Sequence, residues 1–89
     1  MDTKKFIENW VAKFQAIQRD FALSLNKGQG KSITVYLRGF DDGTLGIWIT
    51  FYQVDGEVYK NFDIYSFYSE ESIAAEYERA LYYAKEFVK

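Results

Sequence analysis

The 89-residue sequence carries eight Phe, eight Tyr and two Trp, and it has no Cys, His or Pro. Those absences exclude a thiol nucleophile, a disulfide, an imidazole base and a Cys/His zinc centre. Thirteen acids against eleven bases leave a net charge of −2, and the bases are scattered, so no clustered patch is available for electrostatic capture of nucleic acid.

A chain of 10.5 kDa is expected to fold as one globular domain over residues 1–89. With 48% hydrophobic and 27% charged residues it can build a core and is not disordered. The N-terminal Lys4-Lys5 pair is followed by Phe6-Ile7-Glu8-Asn9-Trp10-Val11-Ala12-Lys13, too polar for a secretory h-region. The longest apolar stretch, Leu45 to Tyr52, is far too short to span a membrane. A cytoplasmic protein without membrane attachment is the expectation.

Residues 3–26 read as an amphipathic helix. Ile7, Trp10, Val11, Phe14, Ile17, Phe21 and Leu25 recur at spacings of three and four, which places them on one stripe. Asp2 or Thr3 is placed to cap the start, and Asn26-Lys27-Gly28 to end it through a left-handed glycine.

From Lys31 the hydrophobic period changes to two, which predicts strands at about 32–38, 45–53 and 57–66. Gly39-Phe40-Asp41-Asp42-Gly43-Thr44 connects the first pair, and Val54-Asp55-Gly56 the second; Asp-Gly between alternating runs is a hairpin signal because both residues tolerate positive φ. Residues 69–88 return to a helical period, with Ser69 as N-cap, Glu70 and Glu71 at the positive end of the helix dipole, and Ile73, Tyr77, Leu81, Ala84 and Val88 as the apolar stripe.

Alternation sorts the strand residues onto two faces. Ile33, Val35, Leu37, Leu45, Ile47, Ile49, Phe51, Val58, Phe62 and Ile64 form an aliphatic face suited to helices. Lys60 shares their parity, which implies that the third strand lies at an edge there or carries a bulge. Thr34, Tyr36, Arg38, Trp48, Thr50, Tyr52, Tyr59, Asn61, Asp63 and Tyr65 form the other face. Tyr and Trp are favoured strand residues anywhere, and a helix on each face would make this set ordinary core. Two helical stripes but one aliphatic face favour both helices on the same side. The expected architecture is therefore a two-layer α+β fold of order α-β-β-β-α, a three-stranded antiparallel meander with two helices on one face.

Motifs for chemistry are few. Gly28-Gln29-Gly30-Lys31-Ser32 resembles the end of a phosphate-binding loop, but Leu25 stands where that loop needs glycine, and the helix-loop-strand context is inverted. The acid pairs Asp41-Asp42, Asp55/Glu57 and Glu70-Glu71 each have a structural reason, in turns or at a helix start, and they lack calcium-loop spacing. No catalytic residue, metal site or cofactor is expected.

The element order resembles that of double-stranded-RNA-binding domains. That resemblance implies a basic cluster opening the last helix, where this chain has the acidic stretch Ser69-Glu70-Glu71-Ser72-Ile73-Ala74-Ala75. The stretch from Phe67 to Leu81, with Ala74, Tyr77, Arg79 and Ala80, also looks like the final helix of three-strand domains that read DNA through an open sheet face. Those use arginine arrays, and here Arg38 and Trp48 stand without one.

The functional expectation is a non-catalytic protein-binding module, in general character like an accessory or inhibitory protein of a phage or mobile element. It would bind a protein partner, or itself as a homodimer, through Tyr36, Arg38, Trp48, Tyr52, Tyr59, Asp63 and Tyr65. The alternative is nucleic-acid binding by base stacking on the same face, which the net charge disfavours.

Overall fold

The computed structural model describes residues 2–25 and 30–89. The expected helix stop at Asn26-Lys27-Gly28 lies outside the described residues. The elements run α1 (Thr3–Phe6), a π-helical turn (Ile7–Val11), α2 (Ala12–Ala22), β1 (Ser32–Gly39), β2 (Leu45–Tyr52), a 3-10 turn (Val54–Gly56), β3 (Val58–Tyr65) and α3 (Glu70–Phe87). The junction residues Phe6, Ile7, Val11 and Ala12 all keep right-handed helical φ/ψ, so α1, the π turn and α2 form one unbroken helix. Its start is capped by the Asp2 carboxylate, which accepts the Lys5 N–H at 2.9 Å.

The π turn changes which side chains face inward. Phe6, Trp10 and Phe14 are spaced by four and then four, an interval that drifts off one face of a regular helix. A π turn holds more residues than an α turn and absorbs the drift. Phe6, Phe14 and Ile17 are then fully or nearly fully buried, and Trp10 keeps 8% of its surface. Ile7, expected in the stripe, is instead 49% exposed. The expected helix is also shorter at its end, giving way after Ala22 to turns closed by Ser24 N–H to Phe21 and Leu25 N–H to Ala22.

The strands form an antiparallel meander in the order β1-β2-β3. In the first hairpin, Phe40 N–H donates to the Thr44 carbonyl at 2.8 Å and Gly43 N–H to the Phe40 carbonyl at 3.1 Å, with Gly43 at φ +87°. This is a three-residue loop whose left-handed position requires glycine. In the second, Asp55 and Gly56 both take positive φ, 66° and 76°, as the Asp-Gly signal predicts.

Both helices pack on one face. Ile33, Ile47, Ile49, Phe51, Phe62 and Ile64 from the sheet share one buried cluster with Phe6, Trp10, Phe14 and Ile17 of the first helix and Ile73, Ala80, Ala84 and Phe87 of α3. The helix α3 is capped by Ser69 Oγ, which accepts the Ser72 N–H at 3.1 Å. Lys31 Nζ closes its other end, donating to the Phe87 carbonyl at 3.0 Å, where the dipole is negative. Its small residues Ala80 and Ala84 are fully buried and Phe87 nearly so, while Tyr77 and Leu81 flank them half-buried. A polar tie joins the layers: Thr3 Oγ1 donates to the Gly43 carbonyl, and Leu45 N–H donates to the buried Ser66 Oγ at 3.0 Å.

The register departs from simple alternation at one place. Phe51 pairs with Lys60 but Tyr52 pairs with Val58, so Tyr59 is the extra residue of a β-bulge. The bulge reverses two assignments. Val58, expected on the helix face, lies opposite Tyr52 and is 54% exposed. Tyr59, expected on the aromatic face, turns toward α3, with its ring stacked 5.5 Å from Phe87 and 6.3 Å from Tyr83. Lys60 does lie on the helix face, at the edge, with Nζ 5.0 Å from the Tyr83 ring centroid. Leu37, also on that face, is 44% exposed. No helix among the described residues is long and apolar enough to cross a membrane.

Candidate functional site: the uncovered aromatic face

With both helices on one side, the opposite face of the sheet is covered by no other element among the described residues. The register arranges it in rows across the three strands. Arg38, Gly46 and Tyr65 form one row, Tyr36, Trp48 and Asp63 the next, Thr34, Thr50 and Asn61 the third, and Ser32, Tyr52 and Val58 the last.

The rings concentrate at one end. Trp48 and Tyr65 meet edge to face with centroids 5.6 Å apart, and Phe40 lies 6.3 Å from each. Phe67 stacks on Tyr65 at 5.2 Å. Offset and edge-to-face pairs of this kind each add about 0.5–1.5 kcal/mol beyond area burial. Gly46 is what permits the arrangement: a Cβ there would stand 2.8 Å from Trp48 Cζ3 and 3.2 Å from Tyr65 Cε1. The Arg38 guanidinium sits 5.1 Å from the Phe40 ring centroid, a cation–π contact at the rim. A cleft of about 230 Å³ opens beside the cluster between Phe40, Asp42, Thr44, Tyr65 and Phe67. Asp42 accepts the Thr44 N–H at 2.9 Å, and that backbone hydrogen bond holds its carboxyl below the ordinary carboxylate value.

A polar chain crosses the middle of the face. The Thr50 hydroxyl donates to Asn61 Oδ1, and Asn61 Nδ2 donates to Asp63 at 2.6 Å. Thr50 keeps only 7% of its surface, so its hydroxyl needs that partner. The chain separates Tyr52 from the aromatic cluster.

Of the seven residues picked out from sequence, Arg38, Trp48 and Tyr65 come together, and Tyr36 and Asp63 flank Trp48 on either side. Tyr36 is 60% exposed. Tyr52 stands apart at the other end of the same face, and Tyr59 is on the opposite face. Phe40 and Phe67 were missing from the sequence-derived set because they lie just beyond strand ends. Their signal was nonetheless present: Tyr36, Arg38, Phe40 and Asp63, Tyr65, Phe67 each continue the strand parity into the adjoining loop.

The face holds no convergent carboxylates, and among the described residues no group of three or more acids could hold a metal ion. Its chemistry among the described residues is that of contact: rigid rings with hydrogen-bonding tips, Arg38 and Asp63 on the strands, and Asp42 in the adjoining cleft. Comparison with protein-family models, curated proteins and solved structures finds no match for this chain.

Proposed function

We infer that the protein is a non-catalytic binding module that engages a protein partner through the uncovered aromatic face. The observation that carries this reading is the ring cluster of Phe40, Trp48, Tyr65 and Phe67 on a sheet face that neither helix covers. Solvent-facing aromatic area of this kind is where binding energy concentrates in protein interfaces. Tyr36 and Phe67, 60% and 65% exposed, are the outer anchors, and Trp48 and Tyr65 form the floor. Arg38 and Asp63 fix register by their opposite charges. Among the described residues of the sheet on this face Arg38 is the one cation, which supports a protein over a polyanion as the occupant. An accessory or inhibitory role, acting by occupying a partner's surface, fits a small module of this kind.

The reading is tested by affinity capture from the native host, comparing wild type with a Tyr36→Ala/Phe67→Ala variant. Both side chains are largely exposed, so circular dichroism should show an unchanged fold. A protein retained by wild type and lost by the variant is the expected result. Equal retention by both, or no specific retention by wild type, defeats the assignment.

A further inference from the structure

The two edges of the sheet are built differently. Edge strand β3 carries three devices that discourage pairing with another strand: the bulge at Tyr59, the inward-facing charge of Lys60, and Asp63. Edge strand β1 has none of these through Ser32–Leu37. It pairs residue for residue with β2, with no bulge and with Arg38 as its single charge.

The hydrogen-bond parity of β1 follows from its hairpin. Phe40 N–H bonds to Thr44, so Phe40 faces β2, and with it Arg38, Tyr36 and Thr34. The N–H and C=O groups of Leu37, Val35 and Ile33 therefore point outward, away from β2. Gln18 confirms the direction by donating from its side chain to the Ile33 carbonyl at 3.1 Å. Beyond that bond, among the described residues, the outward groups of Val35 and Leu37 meet no hydrogen-bonding partner from the chain. Leu37 is also 44% exposed on the helix side and Tyr36 60% exposed on the other, so the edge is open along both flanks.

We propose that β1 is a dimerisation edge that pairs antiparallel with β1 of a second copy, joining two sheets into one six-stranded sheet. The strand is self-complementary about a two-fold axis at Tyr36. In that register Val35 lies opposite Leu37 of the second copy and exchanges both N–H···O bonds with it, and Leu37 does the same with the other Val35. Thr34 lies opposite Arg38 of the second copy, so no like charges meet, and the two Tyr36 rings face one another. The uncovered part of Leu37 gains an apolar neighbour. The Gln18 bond on Ile33 marks where the new ladder ends. The seam shares Tyr36 and Arg38 with the rim of the aromatic face, while the ring cluster of Phe40, Trp48, Tyr65 and Phe67 stays free in such a dimer.

The test combines mass and amide exchange across a concentration series. Sedimentation equilibrium of wild type is expected to rise from a 10.5 kDa monomer toward twice that mass. In parallel, the Val35 and Leu37 amides, fast-exchanging in the monomer, should slow as the dimer forms. Leu37→Pro removes an outward N–H that β2 does not use, a substitution edge strands tolerate, and should weaken association about tenfold or more. Leu37→Lys is a second variant that keeps the backbone donor but places a charge in the apolar seam, and it should weaken association too. A monomeric mass at all concentrations overturns the proposal. So does a dimer whose Val35 and Leu37 amides stay fast, which would be a face-to-face dimer and would favour the aromatic face instead. Association unchanged in both folded variants overturns it equally.

Discussion

Gly46 is the position where a single methyl group should reorganise the aromatic face. Its backbone lies outside the left-handed region, so alanine has no conformational obstacle there. The obstacle is steric: the new Cβ would stand 2.8 and 2.9 Å from two carbons of the Trp48 ring. Such contacts force the ring aside. Overpacking of this kind costs about 1–3 kcal/mol, and replacing an in-strand glycine returns about 0.5–1 kcal/mol, so Gly46→Ala should lose between about 0 and 2.5 kcal/mol, centred on about 1 kcal/mol. For a domain of this size each kcal/mol lowers Tm by about 4–8 °C. Urea and thermal unfolding followed by far-UV circular dichroism will measure it. The decisive comparison is a double-mutant cycle with Trp48→Thr, which removes the Trp48 ring carbons above Gly46. In that background Gly46→Ala should cost about 1 kcal/mol less than in wild type, with Tyr65 Cε1, 3.2 Å from the new Cβ, as the remaining close contact. The reasoning is refuted if Gly46→Ala has the same effect with Trp48→Thr as without it.

Two further outcomes follow from local geometry. Deleting Glu8, an exposed residue of the π turn, brings the buried positions to spacings of three, four and three, which a regular helix keeps on one face. The deletion variant should fold with stability close to wild type. Deleting exposed Gln15 from α2 instead should rotate Ile17 by about 100° relative to Phe14 and abolish cooperative unfolding; equal tolerance of both deletions would contradict the role given to the π turn. The Asp42 carboxyl is held low by the Thr44 N–H, so its stabilising contribution is present above the unfolded-state pKa and lost as pH falls through the lower folded-state value. Carboxyl carbon shifts should show a midpoint below the ordinary range, and the stability gap between wild type and Asp42→Ala should close on acidification. An ordinary midpoint would contradict this.

The architecture was legible because the hydrophobic period changes twice along the chain and because Asp-Gly and Ser69 punctuate it where the structure turns. Strand and helix bounds were readable to within a residue or two, except at the end of the first helix. What was not readable has two physical causes. A bulge inserts one residue without a sequence marker, so Tyr59 and Val58 exchanged faces while their neighbours Phe62 and Ile64 kept theirs. A π turn shifts helical phase in the same silent way, so Phe6 replaced Ile7 in the core. Lys60 was the exception, since a charge on the helix-facing parity pointed to an edge or a bulge, and both are present. Of the rings expected on the second face, Tyr36, Trp48, Tyr52 and Tyr65 lie there and Tyr59 crossed inward, while Phe40 and Phe67 joined the outer set because loops extend strand parity.

The two tryptophans ended up in separate ring assemblies. Trp10 lies in the core, 6.2 Å from Phe14 and 5.9 Å from Tyr77, whereas Trp48 belongs to the outer set with Phe40 and Tyr65. No ring is common to both groups, and the chain has no third tryptophan. The molecule thus carries two unlabelled optical reporters with different duties. With Trp10 replaced by Phe, the remaining indole emission watches the outer face and senses whatever comes to rest on it. With Trp48 replaced instead, the emission watches the interior and records only whether the chain is folded.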